Sequence, residues 1–109
     1  MFRTKVQHTA CQSCPIARTA DLIGDSTILL IVRDLAKAPQ RFTELQASSV
    51  GVSSRTLTKK LEALQKEGLI SKCKYSEFPP RVEYSLTKKG KGLLRVIHAM
   101  EQYGIKHLS

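Results

Sequence analysis

Two groups of residues in this 109-residue sequence have the types and spacing to do chemistry. The first is Cys11-Gln12-Ser13-Cys14. Pro15 suits the first position of a helix, where its missing N–H costs nothing, and this sets Cys14 at the N-cap. Backbone N–H groups and the positive end of the helix dipole stabilise a thiolate there, and Arg18 one turn on adds positive potential. An accessible thiolate is the usual chemistry of a redox or electrophile sensor, and Cys11 is spaced to resolve it as a reversible disulfide. The same run offers His8, Cys11 and Cys14 as metal ligands at three-residue intervals. A structural zinc site takes four ligands, however, and no second pair is visible, so no metal or cofactor is assigned. Thiol switching, thiols without a sensory role and metal binding stay open as readings. An odd count of three cysteines in a reducing cytoplasm argues against a structural disulfide. Cys73, in an alternating segment, is expected to face inward as a buried, inert thiol.

The second group is a set of hydrogen-bond donors with positive charge. Ser53, Ser54, Arg55, Thr58 and Lys59 fall in one helical segment, and Lys72, Lys74 and Arg81 in a hairpin that follows it. Such donors suit phosphates and base edges. Arg55 presents a planar fork that pairs bidentately with guanine, Lys59 a point charge suited to phosphate, and the hydroxyls short donors to either. Enzyme chemistry has no comparable support. There is no Gly-rich phosphate loop, no metal-binding histidine pair and no nucleophile–base constellation, and His98 and His107 read as stripe or surface residues. The chain is read as a non-enzyme.

Composition agrees with the second group. A chain of 12.2 kDa holds one modest core and hence one domain. Lys and Arg number 18 against nine Asp and Glu, a net charge of +9 and a pI near 9.8. Residues 53–95 hold eleven of the basic residues and four Glu, which is +7 of that total. A small domain so basic attracts polyanions, nucleic acid foremost, and the expected partner is double-stranded DNA. The longest apolar run, 28–32, is five residues, far short of a membrane span. The N-terminus lacks the apolar core of a secretory signal, so a cytoplasmic location is expected.

The elements that position these residues follow from punctuation and periodicity. Residues 1–13 read as an N-terminal arm and 14–109 as the domain. A short helix runs from Pro15 to a stop at Gly24. A second starts near Asp25 or Ser26, buries Ile28, Ile31, Val32 and Leu35 at i, i+3, i+4, i+7, and ends by Pro39. Thr43-Glu44-Leu45-Gln46 is a capping-box candidate for a third. After a turn at Gly51, Ser53 caps a fourth helix with Leu57, Leu61 and Leu64 on one edge and Arg55, Lys59, Glu62 and Lys66 opposite. Segments 70–75 and 81–86 alternate as strands around Ser76-Glu77-Phe78-Pro79-Pro80, a stiff tip. Lys72 and Lys74 share one face of the first strand, and Val82, Tyr84 and Leu86 face inward from the second. A last helix, 87–108, is apolar over about half its circumference. That is more than one core needs, and it implies a homodimer through this helix and the N-terminal helix.

This order is that of a winged helix-turn-helix: mainly α, with a small β-hairpin wing and a long C-terminal dimerisation helix. Several segments resemble the HxlR family of winged-helix regulators, a branch of the MarR-like superfamily. They are Gly24-Asp25-Ser26-Thr27-Ile28-Leu29-Leu30-Ile31-Val32-Arg33, Gln40-Arg41-Phe42-Thr43-Glu44-Leu45, Ser54-Arg55-Thr56-Leu57-Thr58-Lys59-Lys60-Leu61, Glu67-Gly68-Leu69-Ile70 and, most specific, Pro79-Pro80-Arg81-Val82-Glu83-Tyr84-Ser85-Leu86-Thr87. Cys14-Pro15 matches as well. The resemblance implies a dimeric, DNA-binding transcriptional regulator with its recognition helix from Ser53 and thiol sensing at Cys14. The chain departs from the family at Asp25-Ser26-Thr27, where Gly-Lys-Trp is usual, and at Tyr103, where a Trp is usual. The expected function is sequence-specific binding of a near-palindromic operator. The competing expectations are a constitutive or architectural DNA binder and a winged helix used only for protein contacts.

Overall fold

The computed structural model describes residues 14–108. Its elements are α1 (Pro15–Ile23), α2 (Ser26–Lys37), α3 (Phe42–Ser48), α4 (Ser54–Lys66), β1 (Ile70–Tyr75), β2 (Arg81–Leu86), α5 (Lys88–Lys91) and α6 (Leu94–His107). The expected arm, 1–13, with His8 and Cys11, lies outside the described residues.

Side-chain caps fix where the helices begin. Asp25 Oδ1 accepts from the N–H groups of Thr27 at 2.8 Å and Ile28 at 3.3 Å, starting α2. Ser53 Oγ accepts from Thr56 N–H at 3.1 Å and starts α4. Thr87 Oγ1 accepts from Gly90 N–H at 3.1 Å and starts α5. The third helix departs from expectation. Its N-cap is Arg41, not Thr43, and Glu44 Oε1 reaches back to accept the Arg41 N–H at 2.7 Å. Glu44 therefore takes the N3 role that the Thr43 reading gives to Gln46, and the capping box lies two residues nearer the N-terminus.

α2 is the hub. It packs against α1, α4, α6 and β2, and Ile28, Ile31, Val32 and Leu35 all enter the core, as their spacing implies. Leu57, Leu61 and Leu64 close that core from α4, each stabilising the packed state by about 1.5–3 kcal/mol. Leu45, Leu69, Ile70, Tyr84 and Leu86 complete it. Polar groups add direction. Buried Asp34 of α2 accepts Ser48 Oγ at 2.6 Å from the end of α3 and the Arg33 guanidinium at 3.0 Å.

The wing is an antiparallel pair with Ile70 opposite Leu86, Lys72 opposite Tyr84, Cys73 opposite Glu83 and Tyr75 opposite Arg81. Its base is held by Gln40, whose N–H and C=O exchange bonds with Tyr84 at 3.0 and 2.8 Å. This register corrects the reading of Cys73. The inward face carries Ile70, Lys72 and Lys74 with Leu86, Tyr84 and Val82, so Cys73 faces outward and is exposed. The physical reason is that the body lies under β2, which rests on the core through Leu86, Tyr84 and partly buried Val82, whereas β1 enters it only at Ile70; every residue from 71 to 80 is exposed.

The long C-terminal helix is present over Leu94–His107, but it is not continuous from residue 87. Gly92 N–H bonds Lys89 O at 3.2 Å and Leu93 N–H bonds Gly90 O at 3.0 Å, tight i→i−3 turns that separate α5 from α6. Gly90 explains the break. It is buried so close to Leu69 that an added Cβ would lie 2.1 Å from the Leu69 carbonyl oxygen. That crowding fixes α5 against the base of the wing.

Candidate nucleic-acid interface

α3, the turn through Gly51 and α4 form the helix-turn-helix. Gly51 adopts φ of 84°, a left-handed conformation that glycine takes without strain. Val52 N–H closes the turn on Ser49 O at 3.0 Å, and Gln46 Nε2 donates to Val52 O. This short, bonded turn joins α3 to α4, whose leucine edge packs against α2.

With that edge at most 1% exposed, the opposite edge is committed to solvent. Arg55 and Lys59 are exposed on it, and Ser54 and Thr58 on its flank and Ser53 at the N-cap are exposed as well. Among the described residues neither Arg55 nor Lys59 has an acidic partner, so both charges are uncompensated. Two hydroxyls are already used within the helix. Thr58 Oγ1 donates to Ser54 O at 2.8 Å, and Ser53 Oγ donates to Thr56 Oγ1 at 3.0 Å.

The wing divides its basic residues. Lys72 and Lys74 are exposed on the face that bears Val82 and Tyr84. Burial pushes up the pKa of Tyr84, and the Glu62 carboxylate of α4 adds to the effect. Arg81 lies on the other face, among acids. Its Nε is 3.5 Å from Glu77 Oε1 and 3.9 Å from Glu83 Oε2. The exposed Tyr75 hydroxyl has its pKa raised first by a hydrogen bond to Cys73 and then by Glu83. Arg81 is therefore held within the wing, apart from the cluster on α4.

Cys14 is the N-cap of α1 with Pro15 following, and it is partly exposed. Arg18 N–H donates to its carbonyl at 2.9 Å. Among the described residues no three His, Cys, Asp or Glu side chains gather in a way that could hold a metal ion, and no helix is long and apolar enough to cross a membrane.

Sequence reasoning missed two polar links that position this face: Asp34 with Ser48, and Asp25 with Lys60. In the second, Lys60 Nζ donates to Asp25 Oδ2 from the flank of α4. Burial works to raise the Asp25 pKa, but the Lys60 bond, the two backbone donors and the Lys60 charge outweigh it and leave the pKa lowered. The partners stand 35 residues apart, so no periodicity announces them. The only signals were the capping position of Asp25 and the placement of Lys60 beside the leucine stripe.

Comparison with known proteins agrees with this architecture. The family model described as HxlR-like helix-turn-helix matches residues 22–109. The chain is 40% identical over 91 residues to an uncharacterised HTH-type transcriptional regulator of Synechocystis sp., covering 84% of this chain and 67% of that one. It resembles the crystal structure of a protein from Porphyromonas gingivalis W83 placed among MarR-family transcriptional regulators. There the TM-score is 0.84 with 32% identity, over 96% of this chain and 100% of that one. The oxidised form of the redox regulator HypR superposes with a TM-score of 0.82 and 29% identity, over 88% of this chain and 99% of that one. With a helix-turn-helix, a two-stranded wing and a family match over most of its length, the chain belongs to the HxlR-like helix-turn-helix family of transcriptional regulators, which are not enzymes.

Proposed function

We propose that this chain is a cytoplasmic regulator that binds a defined, near-palindromic operator as a homodimer, with α4 in the major groove and the wing along the flanking backbone. One observation carries the reading: Arg55 and Lys59 stand exposed and unpaired on a helix whose other edge is sealed into the core. Arg55 reads base edges and Lys59 meets phosphate, with Ser53, Ser54 and Thr58 as short donors beside them and Lys72 and Lys74 as wing contacts. Arg81 joins them only on leaving its acidic neighbours.

The homodimer is supported by α6. Val96 and Ile97 pack against the core, yet Met100, Tyr103, Ile105 and Leu108 continue the apolar surface with half or more of each residue exposed. Ile16 of α1 is 80% exposed and adds to the surface a second copy would cover. Sedimentation equilibrium at micromolar concentration is expected to give a dimer, and Met100→Glu with Tyr103→Glu a monomer. Selection of bound duplexes from a random pool tests the operator. A regulator yields one near-palindromic site and a bounded footprint, whereas an architectural binder coats DNA without preference. Failure to shift any duplex at low salt would leave only a protein-contact role.

A thiol response through Cys14, with Cys11 as resolving partner, is the second element of the reading. It is supported by the N-cap position of Cys14 and by the likeness to HypR, a redox regulator. Operator binding by Cys14→Ser that matches wild type before and after diamide would remove it.

A further inference from the structure

We propose that Asp25 and Lys60 form the positioning clamp that fixes the rotation of α4, and that this clamp sets operator affinity although neither residue touches DNA. The inference rests on α4 being the recognition helix. Leu57, Leu61 and Leu64 hold that helix by apolar contact, which is strong but has no direction. Lys60 sits about 60° round the axis from the Leu57 line and about 100° from Lys59, at the seam between buried and exposed edges. Its ammonium donates to Asp25 Oδ2, with only 12% of the Lys60 side chain and 13% of the Asp25 side chain exposed.

The other oxygen of the same carboxylate accepts the Thr27 and Ile28 N–H groups. One side chain thus holds the start of α2, the hub of the fold, and the middle of α4 at once. The remaining ion pairs described above are local. Arg33 and Asp34 are neighbours in α2, Arg81 with Glu77 and Glu83 stays within the wing, and His98 with Glu101 is one turn of α6. Buried pairs add little net stability, and their best attested use is to specify one arrangement among several. Here the arrangement is the angle at which Arg55 and Lys59 meet a duplex.

Charge and geometry make opposite forecasts for Asp25→Asn. Asparagine still caps a helix, but removing an acid raises the net charge of +9 by one, which on charge alone strengthens DNA binding. The clamp requires the reverse. Fluorescence anisotropy is measured on the duplex selected by the wild-type chain and on a scrambled duplex, across a salt series. Asp25→Asn is expected to bind the selected duplex about tenfold more weakly, with scrambled-duplex affinity unchanged or slightly higher and the salt slope unchanged. Lys60→Arg, which keeps the pair, is expected to match wild type.

Should Asp25→Asn fail to melt cooperatively, Lys60→Gln serves in its place, because Asp25 can still cap α2. A loss confined to the selected duplex at constant salt slope supports the clamp. A loss on both duplexes with the slope reduced by about one makes Lys60 a phosphate contact and overturns it. Selected-duplex binding by Asp25→Asn equal to or tighter than wild type overturns it equally. A wild-type chain with no preference between duplexes would sink the operator reading instead, and is distinguishable from both.

Discussion

Arg81 covers Tyr75 across the wing, with its guanidinium carbon 4.5 Å from the ring centroid. Glu77 and Glu83 flank the same guanidinium, so a residue that looks like a ready phosphate donor is already engaged. Releasing it should help DNA binding. Glu77→Gln is expected to tighten operator binding about two- to fivefold at low salt, with the gain closing as salt screens the exposed pair. Anisotropy titrations across a salt series check this, and a loss of affinity would mean that Glu77 orients Arg81 rather than restrains it.

Arg55 and Lys59 separate two kinds of contact. Arg55→Ala should cost about 1–3 kcal/mol on the selected duplex and relax preference at one base pair. Lys59→Ala should weaken binding evenly on all sequences and reduce the salt slope by about one. Repeating the duplex selection with each variant distinguishes the two outcomes.

Gly90 tests the junction between wing and C-terminal helix. A Cβ at 2.1 Å from the Leu69 carbonyl oxygen forces backbone to move, because the obstacle is not a flexible side chain. Gly90→Ala should therefore destabilise the fold by about 2–3 kcal/mol in urea titrations, although alanine is the better helix former. Gly104→Ala, where nothing lies within 4 Å of the added atom, is the control and should be neutral or slightly stabilising.

Much of this could be read from the chain because it is written in local signals. Ile28, Ile31, Val32 and Leu35 mark one helix face, Leu57, Leu61 and Leu64 another, and 81–86 alternates with Tyr84 and Leu86 inward as expected. The misreadings came where local signals are silent. Cys73 obeys a period of two, but periodicity does not say which face is covered; that depended on how far the hairpin overhangs the body. The helix from residue 87 looked continuous because glycine weakens a helix without marking where it breaks. Only contact with Leu69 makes Gly90 the start of the interruption. At the candidate site the exposed edge of α4 was legible, and the engagement of Arg81 and Lys60 was not: the Lys60 partner lies 35 residues away, and the acids near Arg81 in sequence become its partners only once the hairpin bend sets Glu77 beside it.

Acid should act through Asp25. Its folded pKa is lowered, so the carboxylate contributes stability that is complete above its unfolded pKa and lost as pH falls through the lowered folded value. Urea midpoints for wild type should therefore decline below about pH 4, where an unperturbed aspartate titrates. Asp25→Asn should show a shallower decline over the same range while being less stable at neutral pH. Parallel curves for the two proteins would assign the acid sensitivity to other carboxylates.

The overhang of the wing has a consequence for how such a chain diverges. Ten consecutive residues, 71–80, rest on no interior, and their shape comes from a strand ladder at one end and two prolines at the other. Substitutions there alter what is touched and leave what is folded intact. Copies of this chain can thus drift towards new target sites through that overhang, one exposed side chain at a time, at little risk to their architecture.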